Sequence, residues 1–473
     1  MPEVCSYKFD PSKWNENHTI DSSVEDVWRC PHEAYERENY CPFHLSEEKR
    51  RDLGLFTDEI KKILLTKISE GDKREKEFIG TFLNELDLQR EDLESETEAP
   101  IDLRHSEIRG NVDLSDAWIE PRLLLNHSSF RKFTAPGAIF EGGASFRGSK
   151  FESHTSFSNA EFDKGTDFSH SEFGNTTIFY GADFSSYSNF AQCRFNNRAK
   201  LTRIEFGNDT SFLGSVFGSQ SDFRYCIFEG DADFRHASFV KNVNFHEAIF
   251  NGYTNFSDAV FNGWGIFHEA VFNDITDFNR VEFKSDANFI RSEFESDPDF
   301  ISAEFQGDTN LMISPKEDRS YVDMTDSVIR KGVIKQSPDG PSYYDLTRAK
   351  VGDVKLRTVY PTSEDTDKGR EGEEAHNLFD YFLFCETDFE EFDFSEYEEE
   401  LADNKWVIHR LAIGEGEISP DKLRETYRKA KEAAREGGNK KAASEFSRLE
   451  KKYRKQARRA ERGSLSKWLS DLF

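Results

Sequence analysis

The sequence predicts a mainly β fold, a β-solenoid, from three observations. Phenylalanine recurs at alternating steps of five and six residues, which fits neither the 3.6-residue period of a helix nor the two-residue period of a strand. From Phe140 to Leu311 the series has 32 positions, and all are Phe except Leu201 and Leu311. A small residue stands two positions before nearly every one, as Ala138 does before Phe140. The composition, 36% hydrophobic and 32% charged, is too polar for one thick core.

This pairing of a large and a small residue suits a chain that turns a corner every five or six residues. The Phe ring would fill the interior of a coil, and the small residue would fit where the backbone bends inward. Stacked coils would pair their backbones at about 4.8 Å and so satisfy the polar groups of the main chain. Two repeats of five and two of six together make one coil. We therefore expect residues 22 positions apart to lie directly above one another.

The repeat resembles the pentapeptide-repeat family, in the branch where Phe replaces Leu at the central position and alternate repeats carry a sixth residue. The resemblance implies a right-handed quadrilateral β-helix with four repeats per coil, expected here over residues 100–357. A closing repeat is expected at residues 345–351. Weaker copies extend the series upstream through Leu103, Ile108, Leu114, Ile119, Leu125 and Phe130.

Both ends of a solenoid need caps, and the flanking segments predict them. Residues 46–99 carry apolar residues at helical steps, including the stretch FIGTFLNELDL at 78–88, and predict a helical cap. Residues 358–374 have the composition of an acidic linker, and residues 375–418 that of a small, aromatic C-terminal cap.

Residues 419–473 predict a basic helical hairpin with an amphipathic tail. Ser419 and Pro420 form a helix-start sequence, and Gly437 ends the first helix. The tail SLSKWLSDLF has apolar residues on one helical face. From Asp421 onward there are 17 Lys/Arg against 8 Asp/Glu, a balance of +9, within a chain of net charge -28. Such a surface could attract anionic lipid or nucleic acid, or pair with the acidic body of its own chain.

Three of the six cysteines lie close to the N-terminus beside histidines, the last of them at position 41, which points to metal rather than disulfides. Cys41 and His44 are separated by two residues, like half of a zinc knuckle, and two earlier cysteines complete a Cys3His set suited to a structural, tetrahedral zinc. His32 and His18 are alternative ligands, and three reduced cysteines without metal are the plainer alternative. The candidate ligands are Cys5, Cys30, Cys41 and His44.

The sequence has no phosphate loop, nucleophile elbow or kinase signature, so it predicts a protein that is not an enzyme. We expect a protein-interaction scaffold with a protein partner, located in the cytoplasm. The alternative is an acidic DNA mimic that acts on a topoisomerase or another DNA-binding protein. Residues 140–311 carry 26 Asp/Glu against 13 Lys/Arg, whereas duplex DNA of that length would carry about 22 phosphates. General surface acidity, as in a salt-adapted protein, explains this charge better.

The order of the segments is similar to that of large pentapeptide-repeat proteins of salt-loving archaea. The likeness rests on the Cys-Pro-Phe-His segment at 41–44, the stretch PIDLRHSEI at 100–108 and the stretch TDFEEFDFSEY at 387–397. Several such proteins continue after the hairpin into two membrane helices resembling an ion-channel pore. The resemblance implies the cytoplasmic module of a membrane protein, at the inner face of the membrane, and the sequence ends where those helices would begin.

Overall fold

The computed structural model describes residues 4–316, 318–358, 377–411 and 418–470, and for residues 462–470 the backbone alone. The chain divides into two compact units, Met1–Tyr253 and Thr254–Phe473, called here the N-terminal and the C-terminal unit. Each unit consists of stacked parallel strands with helices packed against them. Within the ranges described, no helix is both long and apolar enough to cross a bilayer.

Each coil of the N-terminal unit contributes four short strands, one to each of four parallel ladders. Strands that lie one coil apart pair in register, so that Phe151 pairs with Phe173 and Glu161 with Asp183. The predicted 22-residue coil and its four-sided path are thereby confirmed in this unit. Most strands are only two residues long, because the chain turns a corner after each one, and the coils above and below satisfy their backbone groups.

The ladders are numbered here in the order in which the chain passes through them. The first contains Ile101–Asp102, Leu123–Leu124, Ala144–Ser145, Thr166–Asp167, Ser188–Asn189, Thr210–Ser211 and Ala232–Asp233. The second contains Phe82–Leu83, Glu107–Asp113, Ser129–Thr134, Lys150–Phe151, Glu172–Phe173, Arg194–Phe195, Val216–Phe217 and Ser238–Phe239. The third contains Leu86–Asp87, the far halves of Glu107–Asp113 and Ser129–Thr134, Thr155–Ser156, Thr177–Ile178, Ala199–Lys200, Ser221–Asp222 and Val243–Asn244. The fourth contains Asp92–Leu93, Trp118–Ile119, Ile139–Phe140, Glu161–Phe162, Asp183–Phe184, Glu205–Phe206, Ile227–Phe228 and Ile249–Phe250.

Stacked aromatic rings fill the interior of these coils. The rings of Phe162 and Phe184 lie 4.7 Å apart and are parallel within 2°. Around one coil the rings meet edge to face, as Phe162 does with Phe168 at 81°. No Phe of the repeat series from Phe140 to Phe239 is more than 1% exposed. Each buried ring contributes about 1.5–3 kcal/mol before the entropy cost of ordering the chain is subtracted.

Every second corner of a coil holds a residue in the left-handed backbone region. This residue lies two positions after the inward residue of a five-residue repeat, as in Asn159 (φ 52°), Gln192 (φ 59°) and Arg203 (φ 59°). Glycine occupies the same corner at Gly181 and Gly214. Most of these residues are not glycine, and the coil geometry imposes the conformation on them at a cost of about 1–2 kcal/mol each.

Helices cover the start of the first coils. Helix α1 (Pro11–Asn15) lies in the N-terminal arm, whose strand Lys8–Phe9 pairs antiparallel with Trp28–Arg29. Helices α2 (Glu47–Asp52) and α3 (Thr57–Glu70) follow. The inner face of α3 buries Ile60, Leu64 and Ile68. This part of the predicted helical cap is confirmed.

The helix prediction is wrong beyond Glu70. The chain leaves the helix at Gly71, and the stretch at 78–88 forms strands that pair with Glu107–Asp113. Leu83, Leu88 and Leu93 are buried and recur every five residues as the solenoid requires, while Phe82 stays partly exposed. The helical spacing of Phe78, Phe82 and Leu86 was coincidental, and the first solenoid strands precede residue 100.

The C-terminal unit is built from the same kind of ladder. Its first ladder contains Thr254–Asn255, Thr276–Asp277, Ser320–Asp323, Ser342–Asp345 and Phe382–Leu383. Its second contains Val260–Phe261, Glu282–Phe283, Glu304–Pro315, Val328–Lys335, Lys350–Arg357 and Asp388–Phe389. Gly265–Ile266, Val271–Phe272 and Ala287–Phe294 form the remaining sides.

Two details of this unit differ from the expected repeat. Phe305 pairs with Ile329, whereas the repeat would place its partner two positions earlier, so this coil is slightly longer than the others. Residues 345–351 do not form the closing repeat, because Val351 pairs onward with Phe389. The predicted C-terminal cap therefore adds a further layer of strands to the solenoid, since an open strand edge would otherwise be exposed.

The predicted hairpin is confirmed. Two 3-10 turns, Leu378–Tyr381 and Phe394–Tyr397, and helix α4 (Glu398–Asp403) lead to helices α5 (Pro420–Glu436) and α6 (Lys440–Ser470). The Ser419 side chain caps α5. Tyr427 of α5 stacks on Tyr453 of α6 at 5.4 Å. The predicted acidic linker lies almost wholly outside the described residues, as do the side chains of the amphipathic tail.

Candidate metal centre

Two segments of the N-terminal arm place Cys5 and Cys30 side by side. Residues 4–9 and 28–33 run antiparallel, with a bridge between Val4 and Glu33. The backbone amide of Cys5 donates to the carbonyl of His32, and that of Cys30 donates to Tyr7. Both cysteine side chains are buried, at 5% and 1% exposure.

A tight turn presents the other two candidate ligands. The backbone amide of His44 donates to the carbonyl of Cys41 at 3.0 Å, so the turn directs Cys41 Sγ and His44 Nδ1 to the same side. These two atoms are 3.2 Å apart. The backbone amide of Cys41 also donates to Cys5 Sγ at 3.3 Å, which joins the turn to the first segment.

The four side chains converge on one point. Their ligand atoms all lie within 4.8 Å of one another. Cys30 Sγ is 3.7 Å from Cys41 Sγ, and Cys5 Sγ is 3.7 Å from His44 Nδ1. Around a tetrahedral zinc, with bonds of about 2.3 Å to sulfur and about 2.0–2.1 Å to nitrogen, two ligand atoms lie roughly 3.3–3.8 Å apart. The measured separations fit that geometry.

The outer nitrogen of His44 has a fixed partner. His44 Nε2 donates to the carbonyl of Ile79 at 3.0 Å, which leaves Nδ1 without its proton and free to bind a metal. The Tyr7 ring stacks on the imidazole at 3.9 Å, nearly parallel. Metal-binding histidines usually have such a second partner, and Ile79 belongs to the segment that opens the first coil.

Hydrogen bonding polarises the three thiols. The pKa of Cys5 is lowered, chiefly by its hydrogen bond with Cys30 and then by that with Cys41. The pKa of Cys30 is raised, chiefly by its hydrogen bond with Cys41. The titrations of the three thiols are therefore coupled through hydrogen bonds within one small buried volume.

The two alternative histidines lie elsewhere. His32 is buried, donates from Nε2 to the carbonyl of Glu77 and stacks on Phe78, and burial lowers its pKa to about 4. His18 is exposed and stacks on Trp14 at 3.5 Å. His44 rather than His32 or His18 therefore joins the cysteines.

Residues 135–183, 190–238 and 223–270 match the family model described as pentapeptide repeats (9 copies). The matched coils are similar to pentapeptide repeats. The matched ranges agree with the ladders of two-residue strands and the inward Phe stack. No curated protein matches the chain. The candidate metal centre lies outside the matched ranges, so its chemistry rests on its own geometry.

Arg50 joins the N-terminal arm to the start of the solenoid. Its guanidinium is buried and donates to three backbone carbonyls, those of Pro42, Leu45 and Phe82. Pro42 and Leu45 flank the ligand turn, whereas Phe82 belongs to the first strand of the second ladder. No sequence signal identified Arg50 or Ile79, because each acts through a contact between a side chain and a backbone carbonyl that are far apart in the chain.

A second contact holds the arm against the first coils of the solenoid. His105 and His127 occupy the same corner of successive coils, and their rings stack at 4.9 Å. Trp14 of α1 meets His105 edge to face at 4.5 Å. Phe9 stacks on His105 at 4.2 Å, and Ser22 Oγ lies 2.8 Å from its Nε2. The spacing of one coil between the two histidines was the available sequence signal for this pair.

Proposed function

We propose that this protein is a non-enzymatic interaction scaffold whose N-terminal arm is held to the solenoid by a structural zinc. In-register stacking is the observation that carries the proposal. It sets the outward side chains of successive coils in fixed rows, and rigid rows of this kind suit recognition of a protein partner.

The interior beneath the helical cap has little room for a ligand. The apolar space between α3 and the first coils measures about 20 Å³, enough for about one water. The proposal therefore places recognition on the outer faces of the coils.

One outer face has the composition of an interaction surface. The outward residues of the fourth ladder form a row in which Glu161, Asp183 and Glu205 are stacked between Ile139 and Ile227. Both isoleucines are partly exposed. A row of three carboxylates bounded by apolar side chains can pair with a basic partner and still bury apolar area.

The same row argues against the alternative, a DNA mimic that acts on a topoisomerase or another DNA-binding protein. Such a mimic needs a charge row as continuous as a phosphate backbone. Here the negative row ends after three coils, at Ile139 on one side and Ile227 on the other.

We also propose four finer assignments: the Phe-centred branch, the likeness to haloarchaeal proteins, a cytoplasmic location and a role as the cytoplasmic module of a membrane protein.

The scaffold proposal is tested by partner capture with matched variants. The full chain would be used as bait in its source cells, as wild type and as Glu161→Gln/Asp183→Asn/Glu205→Gln. The control, Glu25→Gln/Glu152→Gln/Glu229→Gln, removes the same charge from scattered sites. A partner lost from the row variant and retained by the control supports the proposal. A partner set that is unchanged in the row variant rejects this face, and a topoisomerase among the lost proteins would favour the mimic.

The zinc proposal is tested by metal content. Protein purified without chelator should contain about one zinc per chain, and Cys41→Ser should lose it. Cys193→Ser is the matched control, because Cys193 occupies a slot that holds Ser171 and Ser215 in the adjacent coils. Should Cys41→Ser fold poorly, cobalt substitution of the wild type would report tetrahedral thiolate ligation by its visible spectrum. Wild-type protein without zinc, or without that spectrum, would reject the zinc proposal and would not affect the scaffold proposal.

A further inference from the structure

The end of the helical hairpin carries a groove lined by cations. It lies where α5 ends and α6 begins, and its volume is about 830 Å³. No Asp or Glu is among its lining residues, although the chain has a net charge of -28. The lining cations are Arg435, Lys440, Arg448, Lys451, Lys452 and Lys455.

Most of these cations have no acidic partner among the described residues. Arg448 pairs with Glu445 at 2.8 Å, and Lys452 lies over the ring of Tyr453. Apart from Arg448, none of the six has an ion-pair partner within 4.0 Å in the part of the chain that the structure describes. Several cations elsewhere on the hairpin are paired, as Lys431 is with Glu450. The groove therefore keeps a local positive charge.

The cations of α6 lie along one side of the helix. Lys440, Lys451 and Lys455 are spaced by 11 and 4 positions, which are close to whole helical turns, and they extend over roughly 22 Å. The opposite side of α6 buries Leu449 and Phe446, and the Phe446 ring meets those of Phe394 and Trp406. The charged side thus faces away from the core that the hairpin packs against.

We propose that this groove and the lysine side of α6 dock on an anionic lipid bilayer. Four of the six cations are lysines, whose compact ammonium groups suit a diffuse plane of phosphate and carboxylate headgroups more than a fork-shaped contact. None of the lining residues is aromatic, so the groove lacks the platforms on which the bases of single-stranded nucleic acid stack. Ser444 and Ser447 add hydroxyl donors for headgroup oxygens. The inference goes beyond the scaffold and zinc proposals and does not depend on either.

Vesicle binding by the full chain tests this inference. Vesicles of phosphatidylcholine alone would be compared with vesicles that also contain phosphatidylserine, in a co-sedimentation assay at low and high salt. The wild type should bind only the anionic vesicles, and salt should weaken the binding because it screens the charges. Lys440→Gln/Lys451→Gln/Lys455→Gln should bind on the order of 100-fold more weakly, at about fivefold per lysine.

A charge-matched control separates the groove from net charge. Lys132→Gln/Lys241→Gln/Lys335→Gln removes three exposed lysines from the strands and loops, and it should bind anionic vesicles as the wild type does. Circular dichroism would verify that both variants fold. Absence of wild-type binding, equal binding by the groove variant, or loss of binding in the control overturns the proposal. Duplex DNA that displaces the vesicles through the same lysines would assign the groove to nucleic acid instead.

Discussion

Phe151 lies directly over Phe173, with ring centroids 4.8 Å apart and ring planes within 6° of each other. The two residues are one coil apart and pair in register in the second ladder. Their stacking makes each ring a support for the next coil. The stability of the solenoid should therefore depend on every ring in the series.

Phe173→Ala is expected to lower the free energy of unfolding by about 3–5 kcal/mol, because it removes a fully buried ring and leaves a cavity between two coils. Phe173→Leu should cost only about 1 kcal/mol, since it keeps most of the volume and Leu201 already occupies a position of the series. Urea unfolding followed by circular dichroism measures both. An alanine variant as stable as the leucine variant would contradict a close-packed stack.

Gln192→Gly is expected to stabilise the N-terminal unit by about 0.5–1 kcal/mol. Gln192 has a φ of 59°, which glycine adopts without the steric cost that other residues pay. Gln192→Val should destabilise by about 1–2 kcal/mol, because a β-branched residue fits this region poorly.

Lys164→Gly is the control for that corner. Lys164 lies at a six-residue corner and is absent from the set of positive-φ residues. Glycine there should lower the melting temperature, since it adds only conformational freedom to the unfolded chain. A melting temperature that falls equally in Gln192→Gly and Lys164→Gly would show that the corner conformation carries no strain.

Acid should loosen the N-terminal arm. Burial, and then the charge of nearby Arg147, lowers the pKa of His127 to about 4, and burial lowers that of His105 to about 3. Such a histidine stays neutral in the folded protein while the unfolded chain takes up a proton. The free energy of unfolding should therefore fall as the pH drops from about 6.5 toward about 4, by at most about 3 kcal/mol for His127.

Hydrogen exchange of residues 5–30 between pH 7 and pH 4.5 would measure this effect. His127→Asn should flatten the pH dependence, because asparagine does not titrate and tolerates the left-handed backbone at this corner. His236→Asn is the control, since His236 occupies the same kind of corner with an exposed side chain. An unchanged pH profile in His127→Asn would assign the acid sensitivity to other groups.

Asp323 and Asp326 should respond in opposite directions to removal of their charge. Burial raises the pKa of Asp323, and the in-register neighbours Asp345 and Asp299 raise it further. A hydrogen bond from Arg348 lowers the pKa of Asp326. At pH 7, Asp323→Asn should stabilise the C-terminal unit by up to about 1 kcal/mol. Asp326→Asn should destabilise it by a few tenths to about 0.5 kcal/mol, because the ion pair is largely exposed.

The pH dependence gives a further check on this pair. An aspartate whose folded pKa is raised costs stability only while it is ionised, so the gain from Asp323→Asn should shrink as the pH falls toward about 4. Thermal unfolding at pH 7 and pH 4 measures both variants. Loss of stability in Asp323→Asn at pH 7 would mean that its hydrogen bonds outweigh the charge repulsion.

The repeat pattern alone determined the coil, its length and its interior. An inward Phe every five or six residues has few ways to pack, and a 22-residue coil is the one that keeps each ring above another. The helical hairpin could also be predicted from the sequence. Its capping serine, the glycine that ends its first helix and its buried face are all local signals. The ligand types of the candidate metal centre followed from spacing at Cys41 and His44, and the two other cysteines were the only ones nearby.

Only the tertiary structure decided between His44, His32 and His18, since each has the right chemistry and their distances depend on how the arm folds back. It also showed that residues 78–93 form strands, because Leu83 can pair its backbone with the next coil and gains more from that ladder than from a helix. The left-handed corners and the groove lysines of α6 were likewise decided only by the tertiary structure. They depend on which groups meet across coils or across helices, and such neighbours are set by the packing of distant segments, which local sequence does not encode.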